Sequence, residues 1–500
     1  MTAPLVVRAD GGPGIGMGHV MRSLAIAQAW RRHRAPCAWA LVDPAPAFEA
    51  RLREEGIEAV RLDAERGSRD DARLLGELAR ARGAAWTVVD GYRFGRAYQD
   101  VLANAGVRAA WLDDRGLAGA KAAGLVVNPN LAIRPEWYAG RGANTRVLLG
   151  PRYAPLRREF TTRPRSDRTH PARARRILIS LGGADPDDVA PRVVRAAART
   201  AGGPAEIRVI AGPANARAAT LGTAVPPGVE VIASVTDMAE ALAWADVAVT
   251  GAGGTVWEAL HLGVPALLVV IAEDQRGNAT ELDRRGIARL LGDGGSLDES
   301  RAAEEIAGLL ADRARREAMS VRGQALVDGR GAARIVTVMR EAEIALRRAG
   351  FDDGELLFRW AGDPVVRAAS FSGAAIAWPD HVRWLQGKLG DPGCALFVGT
   401  NGAGEPLGTV RFDREASVAV VSTTVDPAWR DRGYGAALIR AACRAYFASP
   451  SADTVEAYVK EDNEPSRRAF LAAGFDEAGC CERSGVPARR LVLGRGEADA

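Results

Sequence analysis

Through the first 335 residues, short apolar runs alternate with stretches whose apolar positions recur every three to four residues. Residues 4–9 (PLVVRA) read as a buried strand, a glycine loop follows at 11–18, and VMRSLAIAQAWRRH has helical spacing. The pattern recurs in CAWALVD, a helix around 46–56, AAWTVVD ending at Asp90, a helix after Tyr92, VRAAWLDD and GLVVNPN. Strands alternating with helices predict a parallel sheet covered on both faces. Residues 150–175 are rich in Arg and Pro and lack periodicity, which predicts a crossover. A second alternating unit runs through RILISLGG, DDVAPRVVRAAARTA, AEIRVIAG, VEVIAS, ADVAVTGAGG and VPALLVVI, closing near 335 after a long helical stretch. Beyond about residue 350 the rhythm changes. FRWAGDPVVRAAS reads as helical, CALFVGT, PLGTVRFD and VAVVSTTVD read as consecutive antiparallel strands, and a helix follows a glycine turn.

The expected layout is therefore α/β: Rossmann-like domains over 1–150 and 176–335 joined by a crossover at 151–175, a linking helix over 336–350, and an α+β domain over 351–496. Tandem doubly wound units with a cleft between them are the layout of two-domain nucleotide-sugar transferases. Lys and Arg number 66 against 62 Asp and Glu, spread without a basic block, which argues against a nucleic-acid partner and suits an anionic small substrate. Five cysteines without CxxC spacing fit a reducing compartment. The N-terminus has no signal-like segment and no run reaches membrane-span length, so a soluble cytoplasmic protein with no membrane partner is expected.

In the first domain, five glycines precede a helix that begins near His19, letting backbone amides approach an anion or a sugar. The spacing misses the third glycine of GxGxxG, although Asp43 at the next strand end keeps a dinucleotide reading open. The run RADGGPGIGMGHVMRSLAIAQAW resembles the opening of the pseudaminic acid pathway's UDP-sugar hydrolases, and the resemblance extends over roughly residues 4–335. It includes Asp90-Gly91-Tyr92, the segment Ser180 to Asp185 with Gly182 and Gly183, and the segment Gly251 to Glu258. The last is similar to the UDP-binding segment of lipid-linked peptidoglycan glycosyltransferases, which implies a glycosyltransferase-B arrangement.

The resemblance implies that His19 activates water on the face opposite the departing UDP, cleaving the anomeric carbon–oxygen bond with inversion, while Tyr92 positions sugar or water. Gly16 and Gly18 line the loop. Arg8 and Asp10 fit either a structural ion pair or substrate contact. Gly253, Gly254 and Thr255 open a helix whose amides suit a diphosphate, and Glu258, one turn in, suits the ribose hydroxyls. No Asp-x-Asp cluster stands at a strand end, so no metal is expected. Relatives carry Asn-Gln where this chain reads Asp274-Gln275. Asp274 is therefore expected as a catalytic-site acid needing a partner for its charge, with Gln275 beside it and Asn278 as a partial substitute.

In the third domain, Val425 to Ala436 holds Arg430, Arg432, Gly433, Tyr434 and Gly435 in an Arg-x-x-Gly-x-Gly spacing that follows a strand and opens a helix, a cradle for pyrophosphate. It resembles the acetyl-CoA loop of the GNAT N-acetyltransferases, and VEAYVKEDNEPSRRAFLAAGF follows at that family's usual distance. The resemblance implies acetyl-CoA as co-substrate and cofactor contact by Asn463 and Ser466; a helix cap is an equal reading for Asn463. Phe470 stands where many relatives have the tyrosine that protonates departing thiolate, so that role is vacant. Glu461, Asp462 and His381 remain open as bases, and Trp360 and Trp384 as either pocket lining or core.

Together the resemblances imply a bifunctional enzyme that acetylates the 4-amino group of a UDP-linked amino sugar and then removes UDP. A UDP-sugar glycosyltransferase with an appended acetyltransferase is the rival enzyme reading, and a non-catalytic nucleotide-sugar sensor is the other.

Overall fold

The computed structural model describes residues 3–12, 15–44, 46–116, 124–142, 144–163, 168–185, 187–200, 205–212, 214–415, 417–449 and 453–498. Pro13 and Gly14 of the glycine loop and residues 164–167 of the expected crossover lie outside the described residues. The chain forms two compact units, one reaching Ala332 and the other starting at Ala333.

The first unit contains two parallel sheets. Strands β1 (Leu5–Ala9), β2 (Cys37–Leu41), β3 (Glu58–Arg61), β4 (Trp86–Asp90), β5 (Ala109–Leu112), β6 (Leu125–Asn128) and β7 (Arg146–Leu149) lie in the order β3-β2-β1-β4-β5-β6-β7. Strands β8 (Arg176–Ser180), β9 (Glu206–Ile210), β10 (Val229–Ile232), β11 (Val247–Gly251), β12 (Ala266–Val270) and β13 (Arg289–Asp293) lie in the order β10-β9-β8-β11-β12-β13. All pairings are parallel, and β1, β2, β4, β11 and β12 are buried along their whole length, as continuous apolar runs flanked by helices demand. In both sheets the strand order reverses at one place, between β1 and β4 and between β8 and β11.

The second unit is a mostly antiparallel sheet. Strands β14 (Ala345–Arg348), β15 (Cys394–Thr400), β16 (Pro406–Glu415), β17 (Val418–Val425), β18 (Thr454–Lys460), β19 (Asp476–Arg483) and β20 (Val486–Gly494) take the order β14-β15-β16-β17-β18-β20-β19. The helix Tyr434–Phe447 packs on one face through Leu438, Ile439 and Ala442 against Val410, Phe412, Val455 and Ala457. The helices Gly354–Ala361 and Trp378–Gly390 pack Leu357, Trp360 and Leu385 on Leu396 and Val398.

The stretch 336–350 departs from the expected linking helix. The helix Gly331–Glu341 ends early, and β14 pairs antiparallel with β15 from Ala345↔Thr400 to Arg348↔Phe397. Alternating Ala345, Leu346, Arg347 and Arg348 at a sheet edge carry little apolar signal. Strands β3 and β13 and the helix Arg69–Ala81 also lie outside the elements read from the sequence. β3 reads EAVR and is mostly exposed, so no buried run marks it.

Candidate functional site

At the first reversal, the helix Gly18–Arg31 starts directly after the glycine loop, where Gly12 and Gly16 exchange backbone hydrogen bonds of 3.1 and 2.9 Å. His19, Arg22 and Ser23 share one helix face because they are three and four residues apart. All three meet Asp90 at the end of β4: His19 Nδ1 lies 2.7 Å from Oδ1, Arg22 Nε donates to Oδ2 at 2.7 Å and Arg22 Nη2 to Oδ1 at 2.6 Å, and Ser23 Oγ donates to Oδ2 at 3.0 Å. Arg22 Nη1 also donates to Asp114 Oδ1 at 2.7 Å, just past β5. Burial opposes ionisation of Asp90, but the charges of Arg22 and His19 outweigh it and hold the carboxyl well below its ordinary range. An ionised Asp90 accepts the Nδ1 proton, so His19 presents Nε2 as its basic nitrogen.

The ring of Tyr92 meets that of His19 edge-on at 4.6 Å. Its hydroxyl lies 3.2 Å from Asp114 Oδ2 and 3.0 Å from Asp274 Oδ2. Loss of hydration around the hydroxyl, then the charges of those two carboxylates, raises it well above the ordinary phenol value. Arg115 donates to Asp274 Oδ1 at 3.3 Å and lies over the Tyr92 ring at 4.0 Å. Asp274, which needed a partner for its charge, thus has one.

At the second reversal, Gly182 and Gly183 follow β8. A Cβ on Gly183 would lie 2.9 Å from the Met17 backbone nitrogen, so only glycine lets this loop approach the one after β1. After β11, Gly253 precedes the helix Gly254–His261, whose first turn has no side-chain cap. Gly254 is exposed and Thr255 half-buried. A helix start without a side-chain cap is the general arrangement that favours phosphate. Gln275 lies against this turn, its Oε1 accepting from the Ala252 N–H at 3.1 Å. Glu258 accepts from Arg157 Nη2 at 2.8 Å, and burial raises its carboxyl against the pull of Arg157.

Of the two readings open for Arg8 and Asp10, the structure takes the ion pair and not the substrate contact, and Asn278 is committed elsewhere. Arg8 has no exposed surface: Nε and Nη2 donate to Asp71 at 2.9 and 2.8 Å, and Nη1 lies 2.6 Å from Asp10. Asp10 also takes Arg66 Nε at 2.8 Å and the Val42 N–H at 2.9 Å. Both residues form a structural ion-pair network. Asn278 is equally committed, its Oδ1 accepting from the Leu131 N–H at 2.7 Å and its Nδ2 donating to Asn130 Oδ1 at 2.7 Å, so it cannot stand in for Asp274.

In the second unit, β17 and β18 pair in parallel from Val418↔Thr454 to Val420↔Glu456 and then part, while β16 keeps pairing with β17 through Val425. The turn after β17 is stiffened by its own side chains. Arg430 donates to Asp363 Oδ1 at 2.8 Å and to the Val425 carbonyl at 3.2 Å, and Arg432 lies over Trp429 at 5.2 Å. Gly433 has φ 80°, a conformation that suits glycine, and the helix it opens has no side-chain cap. Tyr434 is buried and donates to Glu343 at 3.0 Å; burial and that carboxylate push its hydroxyl up to about 12. Asn463 accepts from the Ser466 N–H at 3.2 Å, the cap role. Phe470 is core, edge-on to Phe475 at 5.1 Å. His381 is buried with Nε2 3.0 Å from the Gly354 carbonyl, and Trp360 is buried and donates to Asp426 at 2.7 Å, so both are structural.

Arg22, Asp90, Asp114 and Arg115 are site residues beyond those expected. Arg22 lies in the Gly-His-Val-Met-Arg run and Asp90 in Asp90-Gly91-Tyr92. A rule weighting carboxylates at strand ends next to an order reversal would have singled out Asp90 and Asp114.

Residues 181–329 match the glycosyltransferase family 28 C-terminal domain, and residues 343–476 match the acetyltransferase (GNAT) domain. The spore coat polysaccharide biosynthesis protein SpsG of Bacillus subtilis is 27% identical over 201 residues, 40% of this chain and 59% of that protein. The UDP-N-acetylglucosamine–N-acetylmuramyl-(pentapeptide) pyrophosphoryl-undecaprenol N-acetylglucosamine transferase of Methylococcus capsulatus is 36% identical over 194 residues, 36% of this chain and 51% of that protein. The chain thus spans little more than half the length of these two relatives. The protein of the same name from Halorhodospira halophila is 30% identical over 374 residues, 68% of this chain and 99% of that protein. The chain belongs to the family of these glycosyltransferases, family 28. To the family 28 fold it adds a GNAT domain, so a glycosyltransferase-like nucleotide-sugar domain and an acetyltransferase domain share one polypeptide. Among the described residues, no helix is long and apolar enough to cross a membrane.

Proposed function

We propose that this family 28 chain is a bifunctional sugar-processing enzyme: its GNAT domain acetylates the 4-amino group of a UDP-linked amino sugar, and its glycosyltransferase-like domain releases UDP by hydrolysis. The observation that carries the hydrolytic half is the His19–Asp90 pair of 2.7 Å at the β1/β4 reversal, in the same compact unit as the uncapped glycine turn after β11. Asp90 fixes the tautomer that leaves His19 Nε2 free to take a proton from water. Amides at Gly253, Gly254 and Thr255 suit the diphosphate leaving group, and the carboxylate of Glu258 suits ribose hydroxyls. Tyr92, held between Asp114 and Asp274, orients the sugar.

For acetyl transfer, the parted edges of β17 and β18 and the uncapped helix after Gly433 fit an extended thioester co-substrate and its pyrophosphate. Acetyl-CoA supplies the activated acetyl group. Backbone groups near Ser422 and Thr423 polarise its carbonyl. With Phe470 buried, the departing thiolate takes its proton from solvent.

Glycosyl transfer to an acceptor is the second reading, favoured by the transferase names of the Methylococcus and Halorhodospira relatives. His19 would then deprotonate an acceptor hydroxyl. Incubation of the full chain with a UDP-4-amino sugar, acetyl-CoA and ¹⁸O-water, followed by mass spectrometry, separates the two. Free 2,4-diacetamido sugar carrying ¹⁸O at the anomeric carbon is expected, and His19→Ala is expected to stop at the acetylated UDP-sugar, about a thousandfold slower in UDP release. UDP release only when an acceptor is added would establish transfer instead.

A further inference from the structure

We propose that Glu456 is the carboxylate that receives the acceptor amine of the acetyltransferase domain, on the sheet face opposite the helix Tyr434–Phe447. The inference rests on the acetyl-transfer reading above and names a residue for the role of proton acceptor.

Glu456 is the last residue of β18 that pairs with β17 before the two strands part. An extended thioester lying between the parted strands brings its acetyl end to that vertex. Val455, Ala457 and Val459 pack into the helix-side core, so strand alternation turns Glu456 and Tyr458 to the other face. The helix side is closed by that core, which leaves the opposite face as the approach for an amine. There Glu456, Tyr458, Cys481, Arg483, Ser484 and Arg490 line a concavity with the exposed carboxylate of Glu482 at its rim.

The register gives the neighbours. Across the sheet, Asp413 on β16 stands beside Val420 on β17, which stands beside Glu456 on β18. Arg411 stands beside the exposed Ser422, one step nearer the open end. Asp413 is held by two cations, Lys388 at 2.8 Å and Arg411 at 2.7 Å, so its charge is spent. Glu456 has one cation, Arg490 at 2.5 Å, and one neutral donor, the Tyr458 hydroxyl at 2.7 Å. Of the two carboxylates, Asp413 makes two ion pairs and Glu456 one. Its side chain is 6% exposed, which strengthens an electrostatic contact relative to one in water. Arg483 lies over the Tyr458 ring at 4.3 Å and pairs with Glu415 at 2.8 Å, so the concavity carries charges of both signs.

In the step, the neutral amine nitrogen forms a C–N bond to the acetyl carbonyl carbon. The nitrogen becomes cationic as the carbonyl oxygen becomes anionic. Its proton passes to Glu456, the carbonyl re-forms, and the C–S bond breaks with its electron pair on the thiolate, which solvent protonates. The amide product leaves and Glu456 returns its proton to water.

The test compares wild type with Glu456→Gln, which keeps the shape and hydrogen bonds to Tyr458 and Arg490, in the full chain. Calorimetry of the protein loaded with desulfo-CoA measures a UDP-4-amino sugar against its 4-hydroxy analogue. Wild type is expected to prefer the amine at least tenfold, and E456Q to lose that preference while acetyl-CoA affinity stays within twofold. In turnover, E456Q is expected to lose about a hundredfold in kcat for acetylation, and formate is expected to restore part of it to Glu456→Ala. If E456Q keeps both the amine preference and kcat while wild type acetylates, Glu456 is only a partner for Arg490 and the proposal is overturned. If wild type acetylates neither this sugar nor simple primary amines, the acetyl-transfer reading itself fails and takes the assignment with it.

Discussion

At the order reversal of the first sheet, between β1 and β4, four ionisable side chains, His19, Arg22, Asp90 and Asp114, meet within hydrogen-bonding distance. The equivalent reversal of the second sheet, between β8 and β11, offers glycines, an uncapped helix start and two carboxylates already engaged, Glu258 with Arg157 and Asp185 with the Val189 and Ala190 amides. The same topology has been furnished in two ways. A place where protons move needs titratable groups fixed by partners, because orientation and protonation state must be set before substrate arrives. A place that holds a diphosphate needs the reverse, with side chains withdrawn so that backbone amides reach the oxygens.

That division can be broken most severely at Asp90. Asp90→Asn keeps the shape but offers His19 Nδ1 no anionic acceptor and leaves the half-buried Arg22 short of charge. UDP release is expected to fall by about a thousandfold, and stability by about 3 kcal/mol, read by steady-state kinetics and thermal melts. The pH dependence has a definite sign. The Asp90 carboxyl is depressed in the fold, so its contribution is present above its unfolded value of about 4 and is lost as pH falls toward the folded value. The melting gap between wild type and D90N should therefore narrow below about pH 4.

On the nucleotide side the expected effects are smaller. Glu258→Gln should weaken UDP binding about tenfold, a loss of about 1.4 kcal/mol, with little change in the rate at saturation; an equal loss in kcat would move Glu258 into the chemistry. Asp274→Asn, which installs the residue expected from relatives, keeps a partner for the Tyr92 hydroxyl and gives up only the part-exposed contact with Arg115. A change in kcat of less than about fivefold is expected. The smallest effect is expected in the other unit: Phe470→Tyr should leave the acetylation rate unchanged and lower the melting temperature by a few degrees, because the ring is buried against Phe475. A faster enzyme would show that the ring edge reaches the thiolate.

The parallel sheets and the sheet of the second unit were legible in the sequence because buried strands are written as unbroken apolar runs. The edge strands β3 and β14 were not. β3 is mostly exposed and carries charged residues at Glu58 and Arg61, and β14 gains its place only by pairing with β15. The site divided along the same line. His19 and the glycine turns are local motifs, visible one after another along the chain. The contact of Arg22 with Asp114 joins residues 92 apart, and that of Tyr92 with Asp274 residues 182 apart, so only the fold brings them together. Arg8, Asp10 and Asn278 failed as ligand contacts for a related reason: a polar residue beside a motif has the same spelling whether it faces substrate or anchors the loop, and burial decides between them.

The buried pairing of Arg8 with Asp71 and Asp10 bears on how inactive variants of this enzyme should be sorted. Losing Arg8 would unseat the strand that launches the glycine loop, so a screen scored on product alone would rank it beside His19. Soluble yield is expected to separate the two: a His19 variant should accumulate as folded, silent protein, and an Arg8 variant should be depleted before it can be assayed.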